Sequence, residues 1–391
     1  MGKRVGMEVS IAAAEAVKQA NVDVISAYPI TPQTHIVEHL SELVANGELD
    51  AEFIPVESEH SALSVCIGSE AVGARSFTCT SSQGLALMSE ITYIASSMRL
   101  PILMIVANRA LSGPISIWND HSDVMLIRDS GWIQFFAENG QDVYDHVFCA
   151  YRLAETHNVL LPVIINMDGF ILSHMIEPIE LLEEEKVGLF LPRYQPLYRL
   201  HPDRPITMGG IALPGIYVET KKAQEMALQC SMPRILETWK AFGNLTGRYY
   251  NPVESYKAEN AETLLVTMGS FGETASVAVD TMREEGRHIG LMKIRLWRPF
   301  PIDEFRKVAL KVKRLVVIDR ATSIGAPGGP VASEVKAAIY GYDQRPSVYN
   351  FVAGISGRDV TPLDFVRMVD KAEIEIEEGN KEGYEIYGVR G

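Results

Sequence analysis

The chain has 391 residues, 47% of them hydrophobic and 22% charged, which is length for two or three domains and the composition of a folded globular protein. Its net charge of −14 argues against nucleic acid as a partner, because phosphate binding needs Lys and Arg gathered on one face. No window approaches the roughly 18 uninterrupted apolar residues of a membrane span, Met1-Gly2-Lys3-Arg4 has no apolar segment behind it, and the expectation is a cytoplasmic protein. Gly2 invites N-myristoylation, but Gly6 stands where that signal wants Ser or Thr.

In chain order, a short apolar run at 22–27 reads as a strand and leads into Ala27-Tyr28-Pro29-Ile30-Thr31-Pro32-Gln33-Thr34. Two prolines bracket Thr31, so this backbone is stiff and cannot pass straight from strand to helix. Thr31 is thereby expected at the carboxyl edge of a parallel sheet, where open α/β sheets hold ligands. The plain alternative is a proline-punctuated turn with Pro32 near a helix start. Ile36, Val37, Leu40, Leu43 and Val44 then form a one-face stripe of helical period. Residues 51–56 are the next strand, Ser58 offers an N-cap, and Leu63, Cys66, Ile67 and Val72 continue as a helix. A third strand at 75–80 runs into the polar turn Ser81-Ser82-Gln83-Gly84 and a helix through Met98. Residues 100–107 are almost wholly apolar, as in a strand buried on both faces. A long polar loop, 108–129, holds Asn119-Asp120-His121-Ser122-Asp123; strands at 132–137 and 159–166 follow, with a helix at 142–157 between them. Strands alternating with helices imply a doubly wound parallel sheet.

From about 175 to 258 the character changes: Glu183-Glu184-Glu185 is a charge run, 192–214 is spotted with proline, and one helix is expected at 218–242. This stretch reads as a connecting arm. Strand and helix then alternate again, with strands at 263–268, 289–296, 315–319 and 347–352 and helices at 273–285, 302–312, 331–340 and 362–378. The division expected is 1–180, an arm at 181–258, and a second, smaller α/β domain at 259–391.

Three polar residues fall at or just beyond strand ends: Thr31, Glu59 and Arg109. Strands of one parallel sheet bring such ends to a common edge. Glu59 is either a functional acid or a first-turn acid favoured by the helix dipole. Arg109 is either a snorkelling surface arginine or a guanidinium aimed into a cleft to take a carboxylate. Gly269-Ser270-Phe271-Gly272 and Gly325-Ala326-Pro327-Gly328-Gly329 stand at strand-to-helix turns. Neither matches a nucleotide motif, so tight turns for packing is the better reading of both. Asp120, His121 and Asp123 resemble metal ligands but lack further ligands nearby, which favours a hydrogen-bonded loop. The four cysteines, Cys66, Cys79, Cys149 and Cys230, form no C-x-x-C pair; they are expected as buried small hydrophobes, with no cluster or zinc site built from them.

Taken together, several segments carry a specific resemblance. They are Tyr28-Pro29-Ile30-Thr31-Pro32, Val56-Glu57-Ser58-Glu59-His60-Ser61-Ala62 and Thr80-Ser81-Ser82-Gln83-Gly84-Leu85-Ala86-Leu87-Met88. Asn108-Arg109-Ala110-Leu111-Ser112, Asp120-His121-Ser122-Asp123, Arg298-Pro299-Phe300-Pro301 and Val352-Ala353-Gly354 continue the series. In this order the chain resembles the alpha subunits of the 2-oxoacid:ferredoxin oxidoreductase family, in its pyruvate:ferredoxin oxidoreductase branch. The resemblance implies a thiamine diphosphate pyrimidine-binding domain followed by a transketolase-C-terminal-like domain. It also implies an enzyme that oxidatively decarboxylates pyruvate to acetyl-CoA and CO2, with coenzyme A as co-substrate and electrons passed to ferredoxin. By residue, it implies that Glu59 hydrogen-bonds the pyrimidine N1′, with Pro29 and Ser82 also at the cofactor. Arg109 then holds the substrate carboxylate, and Thr31 hydrogen-bonds the bound oxoacid.

The sequence lacks the Gly-Asp-Gly signature that holds diphosphate and Mg2+ in such enzymes, since Asp168-Gly169 has no preceding glycine, and it has no cluster-binding cysteine run. The resemblance therefore implies a beta subunit carrying the diphosphate, Mg2+ and [4Fe-4S] clusters, a gamma subunit, a ferredoxin-like delta subunit and external ferredoxin. Rival readings are the same family acting on 2-oxoisovalerate, 2-oxoglutarate or oxalate, a transketolase-type beta subunit of a 2-oxoacid dehydrogenase, and a non-catalytic α/β binding protein.

Overall fold

The computed structural model describes residues 3–390, so Met1 and Gly2, with the myristoylation question, lie outside the described residues. Two elements precede the first expected strand, β1 (Arg4–Glu8) and α1 (Val9–Gln19). The helix escapes a search for large apolar side chains because its buried face is largely alanine: Ala12, Ala13, Ala14 and Ala16 are fully buried. Then come β2 (Val24–Ala27), α2 (Thr34–Ala45), β3 (Glu52–Pro55), α3 (Glu59–Ala71) and β4 (Ser76–Thr80). The chain continues through α4 (Ser82–Leu87), α5 (Ser89–Ser97), β5 (Leu103–Asn108), α6 (Ser122–Leu126), β6 (Ile133–Phe136), α7 (Gly140–Ala154) and β7 (Val163–Asp168). β8 (Ile176–Glu180) returns to pair antiparallel with β1.

The acidic run at 183–185 opens α8 (Glu184–Phe190), where acids suit the positive end of the helix. The single helix expected at 218–242 is instead two, α9 (Pro214–Gln229) and α10 (Met232–Thr246). Pro233 lacks an amide hydrogen and crowds the turn before it, so it begins a helix more readily than it continues one. The rest is β9 (Val253–Tyr256), β10 (Thr263–Met268), α11 (Phe271–Glu284), β11 (Ile289–Ile294), β12 (Leu296–Arg298), α12 (Ile302–Ala309) and β13 (Arg314–Asp319). α13 (Pro330–Ile339), β14 (Ser347–Val352), α14 (Pro362–Glu377) and β15 (Tyr384–Ile386) complete it.

One seven-stranded sheet has the order β12-β6-β7-β5-β4-β2-β3 and a six-stranded sheet the order β15-β14-β13-β10-β11-β9. All neighbours in the first are parallel except β12, which comes from far down the chain and pairs antiparallel with β6. After β2 the chain moves outward to β3 and returns on the other side as β4, so the direction of winding reverses between β2 and β4. In the second sheet the same reversal falls between β10 and β13. Such switch points open crevices at the carboxyl edge.

The sheets share a core. One apolar cluster runs from Leu63, Leu85 and Trp132 beneath the first sheet to Leu264, Trp297 and Val335 beneath the second. Among the described residues no helix is long and apolar enough to cross a membrane. Cys66, Cys79 and Cys149 are buried, but Cys230 is exposed. That corrects the expectation for Cys230, which follows α9, a helix that buries little beyond Gln224.

Candidate active site at the carboxyl edge of the first sheet

Thr31, Glu59 and Arg109 follow the carboxyl ends of β2, β3 and β5, on the edge that the switch point opens. The Ser58 side chain caps α3 by accepting the Ser61 amide, and Glu59 becomes the first helical residue. Its position is that of a first-turn acid, but its side chain turns inward and the residue is 7% exposed. Among the described residues no group donates a hydrogen bond to its carboxylate, so its oxygens are left free as acceptors. What faces it is the first turn of α4. A Cβ placed on Gly84 would lie 2.6 Å from Glu59 Oε1, 2.8 Å from Glu59 Cγ and 2.4 Å from Thr80 Oγ1. Only glycine lets that turn approach the carboxyl group.

Arg109 is 5% exposed, which removes the snorkelling alternative. Its Nε donates to the Ser116 carbonyl at 2.7 Å and its Nη1 to the Thr31 carbonyl at 2.9 Å. Nη2 keeps its donors free among the described residues, a half-used fork suited to a carboxylate. Thr31 and Arg109 are thus in direct contact, although β4 lies between the strands they follow. Thr31, Pro29 and Tyr28 are exposed along the outer lip of the crevice. Glu59 bonds neither Arg109 nor Thr31 and reaches them through the 80–84 turn: Gly84 lies against Glu59, and Ser82 Oγ donates to the carbonyl of Ala110.

Ser82 is fully buried and has φ +49°, a left-handed conformation that needs outside support in a non-glycine residue. Part of that support comes from Asp123, whose Oδ2 accepts from the amides of Ser82 and Arg109, both at 3.0 Å. Its Oδ1 accepts from Asn108 Nδ2 at 3.0 Å and the Val124 amide at 2.7 Å. Burial pushes the Asp123 carboxyl up to about 6, against the opposing pull of these donors. Gln33 braces the crevice floor: its Nε2 donates to the Tyr28 carbonyl at 2.8 Å and its Oε1 faces Cys79 Sγ.

The second sheet closes the back of the site. Asp168 ends β7 and projects into the switch point between β10 and β13. There it meets His121 Nε2 at 2.7 Å, Arg320 Nη1 at 2.6 Å, the Ser270 amide at 2.9 Å and the Ser270 hydroxyl. Burial alone would raise this carboxyl, but Arg320, His121 and Ser270 outweigh it and hold the group well below the usual carboxylate range. The polar groups at the second sheet's switch point therefore find a partner within the chain. The amides of the glycine-rich loop are satisfied likewise: Asn350 Oδ1 takes that of Gly329, and Asp319 takes those of Val331 and Ala332. Both glycine-rich turns serve packing.

His121 faces Asp168, Asp120 Oδ1 takes the Ser122 amide and Asp123 the strand ends, so these three side chains do not converge. Among the described residues no three His, Cys, Asp or Glu side chains are arranged to hold a metal ion. Sequence reasoning set Asp168 aside for want of a preceding glycine, read Ser270 as part of a packing turn and passed over Arg320. The available signal was positional: Arg320 follows the last residue of a buried strand just as Arg109 does.

A family model described as pyruvate flavodoxin/ferredoxin oxidoreductase, thiamine diphosphate-binding, matches residues 15–237. A second, pyruvate:ferredoxin oxidoreductase core domain II, matches residues 261–365. The chain is 48% identical over 368 residues to pyruvate synthase subunit PorA of Methanocaldococcus jannaschii, covering 93% of this chain and 94% of that one. It is 43% identical over 370 residues to ketoisovalerate oxidoreductase subunit VorA of Pyrococcus horikoshii, covering 94% of this chain and 93% of that one. Among solved structures, it resembles the 2-oxoglutarate:ferredoxin oxidoreductase of Magnetococcus marinus with 2-oxoglutarate, coenzyme A and succinyl-CoA bound. The TM-score is 0.72 at 20% identity, over 95% of this chain and 65% of that longer one, a likeness of fold.

Proposed function

This chain belongs to the thiamine-dependent pyruvate flavodoxin/ferredoxin oxidoreductases, and on that premise we propose that it is the alpha-type subunit of an enzyme converting pyruvate and coenzyme A to acetyl-CoA and CO2. Electrons leave through partner chains to ferredoxin. The observation that carries the reading is Glu59: a buried carboxyl without a donor, facing a glycine that no other residue could replace without collision. Such a carboxyl group is available to a ring nitrogen brought to it, and the glycine keeps the neighbouring turn from displacing it.

Thiamine diphosphate, when bound, supplies the electron sink for the pair left behind as the 2-oxoacid loses CO2. Glu59 would hold a charge-assisted hydrogen bond at the pyrimidine N1′, with Pro29 bordering the ring and the fully buried Ser82 holding the turn that carries Gly84. Arg109 would take the substrate carboxylate through its free Nη2 while two backbone carbonyls fix the guanidinium plane. Thr31, tied to Arg109 through its own carbonyl, would orient the oxoacid from the lip. Both act by positioning, because the group they hold is the one that leaves. The diphosphate, Mg2+ and [4Fe-4S] clusters are assigned to a beta subunit, with gamma and ferredoxin-like delta subunits completing the path. The naming of the relatives as subunits and the scattering of this chain's four cysteines support that assignment.

The test is Glu59→Gln in the assembled enzyme. The expected result is a loss of at least about 100-fold in pyruvate-dependent ferredoxin reduction with assembly and secondary structure intact. Retention of wild-type activity refutes the reading. The match to a ketoisovalerate oxidoreductase subunit favours one second reading, a branched-chain 2-oxoacid as substrate. Relative kcat/KM for pyruvate, 2-oxoisovalerate and 2-oxoglutarate decides between them.

A further inference from the structure

Two segments that the proposed function uses, the turn at Ser82 and the backbone at Arg109, come from different strands and are held by a single oxygen atom. Oδ2 of Asp123 accepts from both amides at 3.0 Å, and Oδ1 accepts from Asn108 Nδ2 and the Val124 amide. The side chain is fully buried, so it touches neither substrate nor solvent. Four donors converge on two oxygens, and three of the four are main-chain amides that cannot turn away. Only an ionised carboxylate satisfies all of them; an amide or a protonated acid sets donor against donor.

We propose that Asp123 is a positioning residue for the 2-oxoacid reaction, fixing the spacing between the Ser82 turn and Arg109 and so the angle at which the guanidinium meets the substrate carboxylate. This rests on the reading of Arg109 as the substrate-binding arginine. Two further observations support it. Ser82 has positive φ, a conformation that persists only where the surroundings over-determine it, and Asp123 supplies one of the restraints. The loop carrying Asp123 is anchored from the opposite side by the second sheet, through the His121 amide on the Arg320 carbonyl at 2.8 Å and the Gly357 amide on the Asn119 carbonyl at 2.6 Å. Asp123 is thus a fixed post against which both strand ends are set.

The experiment is a double-mutant cycle in the enzyme assembled with its partner chains. Asp123→Asn, Arg109→Ala and the double variant are compared by KM and kcat for pyruvate. Asp123→Asn is expected to lower kcat/KM by about 10- to 100-fold, mostly through KM, because two buried donors lose their acceptor. The double variant is expected to be no worse than Arg109→Ala alone, since the post has no effect once the arginine is gone. Losses that multiply, or an unchanged kcat/KM in Asp123→Asn, overturn the proposal and leave the function standing. A loss in Asp123→Asn with none in Arg109→Ala overturns both. Should Asp123→Asn fail to assemble, Asn108→Ser removes one of the four donors. A smaller KM rise that vanishes in the Arg109→Ala background supports the proposal, and an unchanged KM overturns it.

Discussion

A methyl group added at Gly84 would stand 2.6 Å from Glu59 Oε1 and 2.4 Å from Thr80 Oγ1, where ordinary contact begins at 3.4 Å. Both neighbours are side chains, so the fold can yield: Glu59 has to retreat by about 0.8 Å and Thr80 by about 1 Å. Overpacking of this kind costs about 1–3 kcal/mol, which a protein of this size survives. The site does not survive it so cheaply, because displacing a catalytic group by about 1 Å can cost roughly 100-fold in rate. Gly84→Ala is therefore expected to leave an assembled, cooperatively folding enzyme whose kcat falls by about that factor, with weaker thiamine diphosphate binding by titration. The comparison is Gly247→Ala. Gly247 has φ +81° after α10, but nothing lies within 4 Å of its Cβ position, so that variant should lose about 1 kcal/mol of stability and no activity. Wild-type kcat and cofactor affinity in Gly84→Ala, or an equal loss of activity in Gly247→Ala, would refute the reasoning.

Asp168→Asn leaves the buried Arg320 guanidinium without its charge partner and should destabilise the chain by about 3–5 kcal/mol, read by denaturant titration; an unchanged midpoint counts against the role of this ion pair. Because the folded-state pKa of Asp168 is held below its unfolded value, its contribution is complete above the ordinary carboxylate pKa and disappears as pH falls through the lowered one. The variant should therefore show a flatter acid limb below about pH 4. Asp319 has the opposite sign: burial lifts its carboxyl to about 6, so its stabilisation is complete below the unfolded pKa and is lost as pH rises through about 6. Wild type should gain stability relative to Asp319→Asn on acidification from pH 7 to about 4, and a wild type that loses stability relative to the variant over that range refutes the assignment. A thiol reagent should label Cys230 in the native protein while Cys66, Cys79 and Cys149 react only on unfolding.

Much of the architecture is written locally. Buried parallel strands such as β5 and β7 read as unbroken apolar runs because helices cover both faces, and Pro32, Ser58 and the 81–84 turn mark where each strand hands over to its helix. The placement of Thr31, Glu59 and Arg109 on one edge follows from that alternation alone. The parts that escaped were those whose local signal is weak: α1 with its alanine face, the break at Pro233, and the short strands β1, β8, β9, β12 and β15, which are too short to show a period or pair with strands far away in sequence.

By itself, then, the order of residues determined which side chains stand at strand ends and that those ends share an edge, since backbone periodicity and turn chemistry act over a few residues. Which of them touch was decided only in three dimensions. Arg109 resting on the Thr31 carbonyl, Gly84 against Glu59, one Asp123 oxygen joining two strands and Asp168 meeting Ser270 and Arg320 of the second sheet all depend on strand order. That order is set by how the apolar faces of two sheets and their helices bury one another, a property of the whole chain that no short segment encodes.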